Sequence, residues 1–358
     1  MAVTVRRRYA AARYARHATR ALATLVIHGV VQVAQPGISH LCHLEWRVRY
    51  FALTIAIVQA RRLHLFLAPG PRRMRPALRS ALAEASGSRP PLLRYGIDRA
   101  QLPPALAACV TVLHTDEAAR RFIDEANSQG VLAQMVKSGL ASLLHICLNL
   151  TDLNAWLRRG EMFVLSTAQA RAILGGPFQR LLDVGAGDGA VTSQLAPLAR
   201  EVICTEISQP MAARLRERGW PCVLTELPAA GFRFDAISCL NVLCRANRPL
   251  TLLRRLRDML APGGVLLIGV VVPWHPAVLG RAGLTLPPSE ALPAAVCDAG
   301  SFEECASALA EQLFEPLGFV VRALTRVPYL SRDGPNGSIM ELDDALFTLT
   351  VREGFAAS

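Results

Sequence analysis

Residues 181–190 read LLDVGAGDGA, placing Asp183 two residues before Gly185, with glycine again at 187 and 189. An apolar run ending in alternate glycines predicts a strand entering a turn where backbone approaches a ligand with no Cβ between them. Gly185, Gly187 and Ala190 also satisfy the dinucleotide pattern GxGxxG/A, so the turn alone fits two adenosine-bearing ligands, a nicotinamide dinucleotide and S-adenosylmethionine. Glu206 closes the next apolar run, EVICTEI, where a carboxylate accepts from both hydroxyls of a ribose, and either ligand would use it. Asn241 closes FDAISCLNVL, a carboxamide at the strand end where a transferable methyl would sit. TEL, at 225–227, offers Glu226 either to an adenine or to solvent.

Those residues need a scaffold, and the chain supplies its signals in order. From residue 178 short apolar runs alternate with helical patterns: RLLDVG, AVTSQLAPLAR, EVICTEI, PMAARLRERG, PCVLTEL, FDAISCLNVL, RPLTLLRRLRDML and VLLIGVVV. The helix from 249 is read with Leu253, Leu256 and Leu260 inward and its arginines outward. FEECASALAEQLF puts Phe302, Ala306, Leu309 and Leu313 on one stripe. FVVRALTRVPYL and DDALFTLTV then follow with no helix between them, so they must pair antiparallel. Five β-α repeats and an antiparallel pair predict an α/β fold, a mostly parallel doubly wound sheet whose last strand inserts antiparallel. That ending, together with the DxGxGxG run, favours S-adenosylmethionine over the nicotinamide ligand and over a purely structural glycine turn. Ahead of the sheet the pattern is helical: DEAARRFIDEANSQG aligns Ala118, Phe122 and Ala126, and VLAQMVKSGLASLLHICLNL reads as a buried helix with His145 as a core histidine.

The formal net charge of +11 invites a nucleic-acid reading until it is located. Residues 1–94 hold sixteen arginines and, as acids, only Glu45 and Glu84, so the remainder is slightly acidic and lacks a field for phosphates. Nucleic-acid binding is therefore not expected. Residues 1–92 divide into a basic Arg/Ala-rich leader and a Pro/Gly/Arg-rich linker, APGPRRMRPALRSALAEASGSRPP (68–91), followed by a helical part at 93–165 and the sheet domain at 166–358. The leader suits a mitochondrial or endoplasmic reticulum targeting segment, a peripheral membrane contact or an unstructured extension equally, and no apolar run reaches the ~20 residues of a span. Nine unpatterned cysteines read as reduced thiols, HLCH (40–43) lacks a second zinc-ligand pair, and no metal is expected.

Taken together, RRGEMFVLS (158–166), LLDVGAGDGAVT, CTEIS, FDAISCLNVL, RPLTLL, VVVPWHPAV, PSE (288–290), TRVPYL and LDDALF resemble the methyltransferase-like 9 family, also called DREV methyltransferases, in order from 93 to 352. The resemblance implies a class I, seven-stranded, Rossmann-like S-adenosylmethionine-dependent methyltransferase with an N-terminal helical extension. It implies methylation of protein histidine at the pros nitrogen within alternating-histidine (xHxH) motifs, so histidine-rich protein segments are the expected partners of an expected monomer. Carried over by position, Asp183, Gly185, Gly187, Gly189 and Glu206 hold the cofactor, while Asn241 and Tyr329 meet cofactor and target near the methyl. Trp274 and His275 are candidates for the target groove, and the loop from Ala277 to Gly300 for specificity. One position departs: Cys244 stands where the family has aspartate. A neutral thiol is a weak acceptor, so Asp343 and Asp344 become candidates for the missing acid. Two further readings stay open, a cofactor-binding pseudoenzyme that holds histidine motifs and a small-molecule methyltransferase.

Overall fold

The alternating signals after residue 178 build a single large sheet, because each apolar run is buried on both faces and needs a helix above and below it. The structure, a computed structural model, describes residues 93–128, 149–229, 231–276, 278–279, 285–332 and 339–355. All belong to the second of two compact units, Glu84–Ser358. The leader, the HLCH fragment, the linker and the segment around His145 expected to be helical lie outside the described residues.

The strands are β1 (Met162–Phe163), β2 (Phe178–Val184), β3 (Ala199–Thr205), β4 (Cys222–Val223), β5 (Phe234–Leu240), β6 (Leu260–Val271), β7 (Val278–Leu279), β8 (Thr285–Leu286), β9 (Phe319–Ser331) and β10 (Met340–Val351). The main sheet runs β1-β9-β10-β6-β5-β2-β3-β4, and β7 and β8 form a separate pair. Its β2, β3, β4, β5 and β6 are parallel, while β10 inserts antiparallel between β6 and β9. The seven expected strands are therefore present. An eighth, β1, comes from the GEMFV segment and pairs Met162 with Ser331 and Phe163 with Leu330.

Successive β2 residues serve opposite faces. Leu182 and Val184 join a core with Leu252, Leu253 and Leu256 of the helix Pro249–Asp258 and with Phe302, Ala306, Leu309 and Leu313. Leu181 faces the other way, with Ala170 and Ile173 of the helix Thr167–Leu174, and with Leu267 and Leu346. Each fully buried leucine contributes roughly 1.5–3 kcal/mol. Capping boxes fix the starts of the helices at Thr167 and Phe302: Ser166 and Ser301 accept from the N–H groups of Gln169 and Glu304.

Three local expectations change. On the helix Glu117–Ser128 the fully buried stripe is Ala119, Phe122 and Ala126, with Ala118 only part-buried. On the helix Pro249–Asp258 Leu252 joins the inward set, Leu260 belongs to β6, and Arg257 is buried. Arg257 donates to the Leu317 carbonyl and stacks on Phe355, so its charge is held without a solvent-facing position. The third parallel strand shrinks to Cys222–Val223, because PCVLTEL turns away at the sheet edge after two paired residues.

Candidate active site

The ends of the parallel strands all open on one edge of the sheet, and the candidate residues lie along it. The turn after β2 has Gly185, Gly187 and Gly189 at φ of 65°, 58° and 82°, a region that strains any residue with a Cβ. Their spaces differ. A Cβ at Gly185 would meet Val242 Cγ2 at 2.5 Å, and one at Gly189 would meet Leu215 Cδ1 at 2.5 Å, so both permit packing. At Gly187 nothing lies within 4 Å, so that backbone is open to a ligand.

Asp183 does not face that opening. It is 3% exposed, and its two oxygens accept the hydroxyls of Thr192 and Ser238, each at 2.6 Å. Burial raises its pKa, the two hydroxyls pull it down, and the charge of Glu206 raises it. Its place is below the turn, tying β2 to β5 and to the helix Thr192–Leu195, which corrects the expectation of a direct cofactor contact. Asp188, within the turn, is 4% exposed and held by Arg214 and Arg218, each at 3.1 Å. Sequence reading missed this brace, although two arginines four residues apart, one helical turn, were its visible signal.

Glu206 follows β3 and is 6% exposed. Its Oε2 accepts from the Gly187 N–H at 3.0 Å and its Oε1 from Ser208 N–H at 2.7 Å. Each oxygen keeps a second acceptor site, so the carboxylate is already aimed and still able to take ribose hydroxyls. Beside it Ile207 is 75% exposed, with Val223 and Leu224 half-exposed at the end of β4. An open glycine backbone, an oriented carboxylate and exposed apolar side chains fit an adenosine-bearing cofactor. Glu226 turns instead to Arg255 in an exposed ion pair.

After β5 the chain turns sharply at Asn241, whose φ is 58°. Asparagine tolerates that conformation better than other residues with a Cβ. Its Nδ2 donates to Asp344 Oδ2 at 2.8 Å, and its Oδ1 is buried without a partner. Asp344, on β10 opposite Val271, is fully buried and leaves Oδ1 unpartnered. Burial pushes its pKa up to about 7; the Asn241 bond opposes this and the Asp343 charge adds to it. Cys244 lies one short helical turn on, its thiol donating to the Asn241 carbonyl at 3.6 Å. Burial raises the Cys244 pKa, Arg245 lowers it and Asp344 raises it, which keeps it a thiol at neutral pH. Tyr329, on β9, is 4% exposed and donates its hydroxyl to the Met162 sulfur. Burial lifts its pKa to about 12, and Arg245, Asp344 and Cys244 act on it in turn. Met162, Asn241, Cys244, Arg245, Tyr329 and Asp344 thus form one cluster, of which sequence reading missed Arg245 and Met162.

Trp274 and Asp343 lie elsewhere. Trp274 is 1% exposed inside the hydrophobic core, so it does not line a groove. His275 next to it is exposed, and Asp343 is engaged by Arg326 on the other face of β10 from Asp344. Within the expected specificity loop, Glu290 clamps the start of the helix Pro249–Asp258, accepting from Leu250 N–H at 2.7 Å and Thr251 N–H at 3.0 Å.

The ubiquinone biosynthesis O-methyltransferase of Cereibacter sphaeroides is 33% identical over 102 residues, 25% of this chain and 41% of that protein, so the chain spans less than half the length of this curated relative. Among solved structures, the 1,6-didemethyltoxoflavin-N1-methyltransferase of Burkholderia thailandensis is 19% identical with a TM-score of 0.36, covering 68% of this chain and 94% of that one. The N-methyltransferase NodS of Bradyrhizobium japonicum, in complex with S-adenosyl-L-homocysteine, is 19% identical with a TM-score of 0.33, covering 50% and 80%. The model of one family, DREV methyltransferase, matches residues 94–351, the whole length over which the sheet and its strand-end cluster are built. The chain belongs to the DREV methyltransferase family.

Proposed function

We propose that the chain methylates protein histidine at the pros nitrogen, acting on alternating-histidine segments that lie over the strand ends. When bound, S-adenosylmethionine supplies a methyl on a sulfonium, a group reactive enough to be taken directly by a ring nitrogen. Glu206 and the open backbone at Gly187 would hold its ribose side, and Ile207 offers an apolar surface for its adenine.

What remains for the protein is alignment and choice of nitrogen. A histidine attacks only as neutral imidazole, the major form above a pKa of ~6.5. Choosing the pros nitrogen requires an acceptor for the N–H of the tele nitrogen. The observation that carries the reading is a buried acceptor oxygen without a partner, Asn241 Oδ1, inside the strand-end cluster of a family matched over residues 94–351.

The test is methyl transfer from labelled S-adenosylmethionine to an alternating-histidine peptide, with the modified nitrogen identified after hydrolysis and cofactor binding measured alongside. Wild type is expected to label pros-histidine, and Glu206→Ala to weaken both cofactor binding and labelling. Cys244 motivates one other reading, a cofactor-binding protein that holds histidine motifs unmodified. Cofactor binding without labelling, with labelling appearing in Cys244→Asp, would establish that reading. Labelling of a small acceptor but no peptide would move the assignment to small-molecule methylation.

A further inference from the structure

Asp344 sits at the most protected point of the site, and stability does not account for it. It is fully buried and its Oδ1 has no partner, an arrangement that costs folding free energy. Its sister Asp343 carries the ion pair to Arg326 instead. What Asp344 does hold is the Asn241 amide. An ionised carboxylate can only accept, so Asn241 must meet it with Nδ2, at 2.8 Å. The carbonyl Oδ1 is thereby turned away from Asp344, on a side chain only 8% exposed and on a left-handed backbone that bends back at the end of β5.

We propose that Asp344 is a positioning residue that locks the Asn241 amide with Oδ1 as acceptor for the tele N–H of the target imidazole, the task that the thiol of Cys244 cannot perform. This rests on the histidine reading above. In the transfer, the pros nitrogen lone pair forms the N–CH3 bond while the C–S bond breaks, its electron pair staying on sulfur. The ring becomes an imidazolium whose tele N–H stays on Asn241 Oδ1 until the methylated product leaves and gives that proton to water. The Asp344 charge behind the amide favours the ring's developing positive charge through the polarised Asn241 carbonyl. Protonated Asp344 could donate to Oδ1, the amide could turn, and the acceptor would be lost. The groups facing Asp344 are Asn241 and Cys244 from the β5 end, Tyr329 from β9 and Asp343 on its own strand, with Arg245 against Cys244 and Tyr329. Val271, opposite on β6, carries no charge.

The first measurement uses the full chain without substrate, labelled with 15N, following the Asn241 side-chain amide, which is assigned by its loss in Asn241→Ser. In wild type the resonance is expected to shift through one transition near neutral pH, and in Asp344→Asn to stay flat over that range. A flat wild-type resonance between pH ~5 and ~9 overturns the lock; this arm alone decides should Asp344→Asn fail to fold. The second uses S-adenosylmethionine and the alternating-histidine peptide. Asp344→Asn is expected to lower kcat roughly a hundredfold, the scale for losing one preorganised polar contact, with the peptide KM nearly unchanged. An unchanged kcat, or a loss seen only in KM, overturns the proposal. An amide that titrates as expected in a protein that leaves the peptide unmethylated keeps the lock and sinks the histidine reading instead.

Discussion

At the scale of single residues, the proposed site sets a prepared carboxylate, Glu206, beside a strained turn at Asn241. Glu206 is set by two backbone N–H donors before any ligand arrives, so its removal should cost both cofactor affinity and stability. Glu206→Ala is expected to weaken S-adenosylmethionine binding by tenfold or more in calorimetry, about 1.4 kcal/mol or above, and to lose roughly 1–3 kcal/mol of stability in the absence of cofactor through the unpaired N–H groups. Asp344 makes the opposite prediction. Its pKa stands at about 7 against 3.8 for an unperturbed carboxyl, so the folded state binds the proton more tightly than the unfolded one. The penalty is absent below pH ~4, grows as pH rises, and is complete above ~7, reaching at most ~4 kcal/mol. Asp344→Asn should therefore be more stable than wild type at pH 8 in chemical denaturation, with the difference closing toward pH 4. A variant less stable at pH 8 would count against a carboxylate kept for function at a cost in stability. Cys244→Asp would add a second carboxylate beside the first, and the acid limb of its kcat profile is expected to move to higher pH through their repulsion.

At the scale of elements, loops hold helices in the places where the site needs them. The helix Pro249–Asp258 begins without a side-chain cap from its own N-cap residue, Arg248. Glu290 supplies one from far along the chain, taking the Leu250 and Thr251 N–H groups and the Thr251 hydroxyl. Replacing it by alanine should cost about 1 kcal/mol, the usual worth of a cap, measured as a lower denaturation midpoint with unchanged slope. PSE was legible as part of a family pattern, but its use as a cap was not, because the two partners are separated by forty residues of chain. The helix after the glycine turn shows the reverse limit. AVTSQLAPLAR has helical periodicity throughout, yet the α-helix covers only Thr192–Leu195 before Pro197 tightens the next turn at Ala196–Leu198.

At the scale of the whole molecule, cofactor binding and folding are linked. A ligand that binds only the folded chain stabilises it by about 2.7 kcal/mol at a hundredfold excess over Kd. S-adenosylmethionine should therefore raise the unfolding temperature of wild type, and raise that of Glu206→Ala by about half as much or less at the same concentration. Among the described residues no helix is long and apolar enough to cross a membrane.

Local chemistry was enough to place the strands, the glycine turn, Glu206 and Asn241, because strand period, helix period and turn residues are properties of neighbouring positions. The antiparallel pairing of β10 with β9 was legible for the same reason: two strands with no helix between them have little choice but to pair antiparallel. Sequence could not decide between Asp343 and Asp344, adjacent residues on one strand. A strand sends alternate side chains to opposite faces, and only the packed sheet shows which face meets Arg326 and which meets Asn241. Nor could it see that Asp183 points under the turn or that Trp274 is enclosed in the core. Both outcomes depend on partners distant in the chain, whose approach is fixed by how helices and sheet close together rather than by any residue's own neighbours.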